Sequence, residues 1–503
     1  MYRVSRGLTG RIHDIGPVRP GKTLYLTLGA AAVVVLANSG VITQSLPAPA
    51  VLVATLAVVW ILLVFRDWRW AIWGMIVYLP FVGLPQIITY PNTTLPVLAK
   101  DILFIVPCYL SLGARILTRQ LRIQPCGLPW QLFLLFGAIN VAGLFNPALS
   151  SKAVGLIGIK IWLLYIPLAF VVPQAIDSIK RLRTLLRVIV YLSAGPAALG
   201  LLEFTLVHAG KADTVYGWYG QAAQAMFSKG GAFDLGNSQF VSRIPSTLGS
   251  VGQYNYFLLT SVACGLALLR LEHEPKRVAL TWAIFAGDCV AALTSGERSA
   301  FVYVPLLLAL VALGTGGIKG LLRMVPTVAG SLWVAVLLFG GAGAALYAMV
   351  SNATIVYGQQ IVTQELAPAL QTAILGLGPG MDSQAAGRYS GQGTSFAWLA
   401  EGWWARVIYE LGLPGLALVA GIWLVILWRG WTIWPALQDR ALARTAVCFV
   451  AFIIVMLYAS LKAVPLDQDP CNVYIWMVVG LLVSLPGLER VASSRTGWAD
   501  RVT

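Results

Sequence analysis

Residues 401–428 read EGWWARVIYELGLPGLALVAGIWLVILW, from Glu401 to Trp428. Every charge lies in the first ten residues, at Glu401, Arg406 and Glu410, and the remaining eighteen are uncharged and almost wholly apolar. A run of that length without charge fits a helix that crosses a membrane better than one side of a soluble core. The stretch is therefore a polar shelf leading into a span.

Working outward, the whole chain follows this pattern. Hydrophobic residues make up 58% of the 503 and charged residues 11%, against about 25% charged in soluble domains. Mean hydropathy is +0.77. Comparable apolar runs fall near 23–41, 48–65, 70–88, 98–114, 128–145, 153–173, 184–206, 254–271, 278–295, 300–318, 325–350, 411–428, 445–463 and 471–487. The expected fold is all-α: one polytopic bundle of about fourteen spans occupying 1–503, with prolines interrupting the third and fourth. Two long loops, 207–253 and 351–403, are expected to carry short helices. The basic N-terminal head runs into a long apolar stretch with no clear cleavage site, so the first span is expected to be retained.

The net charge of +15 would point to nucleic acid in a soluble protein. Here 25 of the 35 Lys and Arg residues fall in the tails and alternate short connections, as the positive-inside rule requires. That places both termini in the cytoplasm and both long loops outside, with no nucleic-acid partner. The six cysteines lie mostly in or beside apolar runs without metal-ligand spacing, so neither a disulfide framework nor a metal site is expected.

Three polar motifs then share the outer side. In Ser242-Arg-Ile-Pro-Ser-Thr-Leu-Gly-Ser250, Arg243 sits beside hydroxyls and glycines just before a span. A guanidinium fork there matches phosphate oxygens, or it snorkels to lipid headgroups. In Thr294-Ser-Gly-Glu-Arg-Ser-Ala300, Glu297 and Arg298 occupy a reversal with almost no loop. They either face a hydrated site or pair locally across the turn. The third motif begins at Gly376, Gly378 and Gly380, passes Arg388 and reaches Glu401, Trp403, Trp404 and Arg406. The tryptophans suit sugar faces or an aromatic belt; Glu401 suits a general base or a first-turn acid at a helix start. Lys160 and Asp288 lie within spans, as substrate contacts or buried structural partners.

The order of these motifs, followed by Glu410-Leu-Gly-Leu-Pro-Gly415, resembles the O-antigen ligase/polymerase superfamily over roughly residues 140–487. Leu144-Phe-Asn-Pro147 and Lys160-Ile-Trp162 are similar to its exopolysaccharide polymerase branch. Ligases of that family carry a His-Asn pair where this chain has Glu401-Gly402, a departure that favours the polymerase branch. The resemblance implies a bacterial inner-membrane enzyme without cofactor. Its donor and acceptor would be polyprenyl-diphosphate-linked glycans, with membrane lipid and other polysaccharide assembly proteins, a flippase or chain-length regulator, as partners. It implies Arg243 and Arg298 on the leaving diphosphate and Glu401 as base. Arg406, Arg388, Glu297, Lys160, Trp403 and Trp404, with Trp218 and Tyr219, would contact substrate. A one-step glycan ligase and a lipid-linked glycan transporter are the competing readings.

Overall fold

The computed structural model describes residues 48–90, 94–121, 123, 127–220, 233–234, 240–241, 243–297, 299–338, 358–383, 386 and 400–499. In chain order its principal helices are α1 (Ala48–Arg66), α2 (Arg69–Tyr78), α3 (Leu95–Leu117), α4 (Trp130–Gly143), α5 (Lys152–Leu163) and α6 (Leu168–Ala175). They continue with α7 (Ile179–His208), α8 (Ala212–Tyr219), α9 (Val251–Leu271), α10 (Pro275–Thr294) and α11 (Ala300–Leu338). The last three are α12 (Trp403–Ala436), α13 (Arg440–Ala459) and α14 (Cys471–Ala499). A two-residue antiparallel pairing, Phe233–Asp234 with Phe240–Val241, is the only ladder among the described residues.

Eight of the described helices are long and apolar enough to cross a membrane, or nine if the α5–α6 pair, bent by 41°, makes one span. Apart from that pairing, the regular structure of the described residues is helical, and the protein is a multi-pass membrane protein. The expected span 23–41 lies outside the described residues, as does the end of 325–350. The expected span 70–88 is instead three pieces: α2, a tight turn at Leu79–Phe81 and a short helix Leu84–Ile88. Pro80 and Pro85 each lack the amide hydrogen that would continue the ladder. α3 survives its prolines as one helix. Its π turn at Asp101–Ile105 precedes Pro107, which leaves the Leu103 carbonyl free to accept from Trp60 Nε1 at 3.1 Å.

The core centres on α9, which packs against α7, α10, α13 and α14 and is buried along nearly its whole length. Apolar side chains on the outer helices, such as Leu424, Trp428 and Trp431 of α12, remain exposed as lipid-facing residues do. Ser151, Ser178 and Ser250 each cap the helix that follows by accepting an amide hydrogen of its first turn. Asp288, in the middle of α10, is fully buried and accepts from Ser193 at 2.8 Å and Ser261 at 2.6 Å. It thus ties α10 to α7 and α9.

Candidate functional site

One end of the bundle collects most of the polar motifs, beginning with the glycine run. Pro414 in α12 has no amide hydrogen, and Gly412 takes φ +68°, so the helix breaks here and exposes its own carbonyls. Leu377 N–H donates to Tyr409 O at 2.7 Å and Gly378 N–H to Glu410 O at 3.0 Å, while Leu413 N–H donates to Ile374 O at 2.9 Å. The Glu410 side chain completes the lock. Its Oε2 accepts from Gly380 N and Trp162 Nε1, both at 2.6 Å, and its Oε1 accepts from Asp382 N at 3.0 Å. Gly380 has φ +85° and passes so close to α5 that a Cβ on Gly158 would sit 2.2 Å from Gly380 N. Asn146 Nδ2 donates to Gly376 O at 2.8 Å. Four motifs far apart in sequence, around Asn146, Trp162, Gly376–Gly380 and Glu410, therefore form one rigid joint.

Beside this joint lies a chain of paired charges. Arg406 is buried, with Asp467 at 3.0 Å and Asp382 at 3.5 Å. Trp403 is buried too; its Nε1 donates to the other Asp467 oxygen at 2.9 Å, and its ring packs against Trp162 at 5.4 Å. It is thus part of the core wall. Trp404, half-buried, donates to Leu457 O at 3.3 Å. A narrow aromatic pocket opens here, lined by Phe136, Trp162, Trp403, Trp423 and Trp476 together with Asp467.

Two residues further on, Asp469 stands 3.1 Å from Lys100, and Lys100 is 3.0 Å from Asp101. Lys160 pairs with Asp101 at 2.7 Å, and Tyr165 donates to Asp101 at 2.8 Å. Lys160, its side chain 27% exposed, thus has a carboxylate partner within the protein.

Glu401 is exposed just before α12. The carboxylate that accepts from the start of that helix is Glu365, through Gly402 N at 2.8 Å. Partial burial, with Glu401 and Asp382 nearby, raises the Glu365 carboxyl above its ordinary range, although it accepts that backbone hydrogen. Glu365 is a base candidate that the sequence reading passed over.

The remaining motifs meet at the starts of α9 and α11 and the end of α10. Ile244 N–H donates to Ser295 O at 2.8 Å, which joins the Arg243 turn to the Ser295–Ser299 turn. Glu297 accepts from Ser299 Oγ at 3.1 Å, a local contact across its own turn. Arg243 is half-buried; its Nε is buried with no hydrogen-bond partner, and it has no carboxylate within ion-pair distance among the described residues. Arg298 and Arg388 lie outside the described residues. No family model matches the chain, and no curated protein matches it. Among the described residues, no group of three or more His, Cys, Asp or Glu is arranged to hold a metal ion.

Of the loop aromatics, Trp218 is 49% exposed and Tyr219 is buried, with its hydroxyl donating to Glu203. The sequence reading missed Asp101, Asp382, Asp467 and Asp469 as partners. The signal was there for two of them: Asp467-Gln-Asp469-Pro is an acidic pair in the short connection between the last two helices.

Proposed function

We propose that the protein is a glycan polymerase of the O-antigen ligase/polymerase type, acting outside the cytoplasm on polyprenyl-diphosphate-linked repeat units. The topology that accompanies this reading has about fourteen spans in a bacterial inner membrane, with both termini in the cytoplasm. The observation that supports it best is the bond from Ile244 N–H to Ser295 O, at 2.8 Å. It joins the turn that follows Arg243 to Ser295, in the sequence motif where the resemblance puts the second arginine. A guanidinium with no carboxylate within ion-pair distance among the described residues favours an anion supplied by the substrate.

In this reading the acceptor hydroxyl attacks the anomeric carbon of the donor. The new oxygen–carbon bond forms as the bond to the lipid diphosphate breaks, and the diphosphate leaves with the electron pair. Arg243 and Arg298 meet the growing negative charge, and the hydroxyl proton passes to Glu401. Glu365, beside it, is the second carboxylate able to take that proton. The transporter reading asks for uncommitted charge near mid-span. Lys160 and Asp288, its best residues, are engaged by Asp101 and by Ser193 and Ser261.

The test is reconstitution in liposomes with lipid-linked repeat units. The wild type is expected to yield a ladder of lengths. Arg243→Ala should yield none while remaining folded in the membrane. A single transfer of a preformed chain to a different acceptor would make the protein a ligase. Absence of any lengthened or transferred product would end the enzymatic reading.

A further inference from the structure

Glu203 lies near the end of α7 and is fully buried, although a carboxylate inside a helix bundle costs several kcal/mol when nothing compensates it. No basic side chain lies within ion-pair distance of it among the described residues. Its compensation comes from donors on two other elements. Oε1 accepts from the Tyr219 hydroxyl at the end of α8, and Oε2 accepts from Ser246 N–H at 3.2 Å. The Tyr219 hydroxyl is also 3.1 Å from Ser246 O. Both backbone groups of Ser246 therefore face the same buried pair.

Ser246 is the residue that most needs holding. Its φ is +53°, in the left-handed region that a side chain disfavours, at a cost of about 1 kcal/mol or more. Such a conformation persists only where its surroundings fix it. Here Ser246 Oγ donates to Pro196 O at 2.7 Å and Thr247 Oγ to Pro80 O at 2.6 Å. Arg243 comes three residues earlier, and Ile244 is fixed to Ser295. The turn is thus anchored at both ends, by α10 at Ile244 and by Glu203 at Ser246.

We propose that Glu203, braced by Tyr219, is a positioning residue that aims Arg243 at the diphosphate of the substrate. This rests on the reading of Arg243 as the anion-binding residue. Glu203 touches no substrate; it acts through the shape of the Arg243–Ser246 turn. A conservative amide should therefore serve nearly as well, because Gln keeps an acceptor for Ser246 N–H.

The experiment measures binding of farnesyl diphosphate to the full-length protein in nanodiscs, per mole of folded protein, together with thermal stability. Arg243→Ala should weaken binding ~10-fold or more, a change equivalent to about 1.4 kcal/mol. Glu203→Ala should weaken it comparably, and Tyr219→Phe about 3-fold. Glu203→Gln should return to within about 2-fold of wild type at wild-type stability. If Glu203→Ala does not fold, Tyr219→Phe and Glu203→Gln carry the test. Unchanged binding in Arg243→Ala would overturn the anion-site reading itself. Weakened binding in Arg243→Ala with wild-type binding in Tyr219→Phe and in any folded Glu203→Ala would overturn only the positioning role. Poor binding by Glu203→Gln at full stability would overturn it too, because charge and not hydrogen-bond geometry would then matter.

Discussion

The joint around Glu410 and the turn around Arg243 are both polar, both partly inside the bundle, and built in opposite ways. At the joint, charges are paired within the protein: Glu410 takes three donors, Arg406 stands between two acids, and Lys100 and Lys160 share Asp101. At the turn, the backbone is matched, and Arg243 has no carboxylate within ion-pair distance among the described residues. The difference separates scaffold from site. Charge already spent on protein partners has little left for a ligand, since releasing it would leave those partners buried and unpaired. The Arg243 guanidinium on a fixed backbone carries no such penalty.

The strongest challenge to that division is Glu410→Ala. It removes the acceptor of Gly380 N–H, Asp382 N–H and Trp162 Nε1–H at once. Each donor left buried without a partner costs about 1–3 kcal/mol, so the loss should exceed about 3 kcal/mol. Thermal unfolding in detergent and the yield of membrane-inserted protein would both fall sharply. If Glu410→Ala were as stable as wild type but inactive, the joint would belong to the catalytic machinery and the comparison would collapse.

A smaller effect is expected from Asp467→Asn. Trp403 Nε1 keeps an acceptor and Arg406 keeps Asp382 at 3.5 Å, but the partner at 3.0 Å loses its charge. About 1–3 kcal/mol of stability should go, read as a lower unfolding temperature, with activity per folded molecule largely retained. Activity lost without stability would move Arg406 from scaffold to site.

How much of this was readable beforehand follows the same division. The glycine run announced a tight loop, because three glycines at alternate positions serve conformations other residues resist. That Glu410 would hold it was not readable; the connection depends on Pro414 freeing a carbonyl and on α5 arriving at Gly158, both tertiary facts. Lys160 and Asp288 drew notice as charges in apolar runs, yet Glu203, an acid in the expected span 184–206, drew none although the same rule applied. Asp101 was hidden at the start of a span and Asp382 in a polar loop, where a single acid carries no periodic signal. Arg243 was legible because its neighbours, Ser, Pro and Gly just before a long apolar run, already describe a fixed turn at a membrane boundary.

Glu365 tests the boundary between the two regions with the smallest expected effect. It touches the scaffold through Gly402 N–H, yet no cation lies within ion-pair distance of it among the described residues. Burial, reinforced by Glu401 and Asp382, raises its carboxyl in the folded protein. A raised acid contributes stability fully below its unfolded pKa and loses it as pH rises through the folded value. Wild-type stability should therefore decline across the interval from the ordinary carboxylate range up to that raised value. Glu365→Gln should remove this part of the decline, so the two proteins converge in acid and the variant is slightly the more stable at neutral pH. Thermal unfolding across pH reads the difference. The opposite sign, with the variant weaker as pH rises, would mean that the Gly402 contact stabilises the ionised form and makes Glu365 one more satisfied scaffold acid. The expected sign leaves it a carboxylate poised to accept a proton beside Glu401.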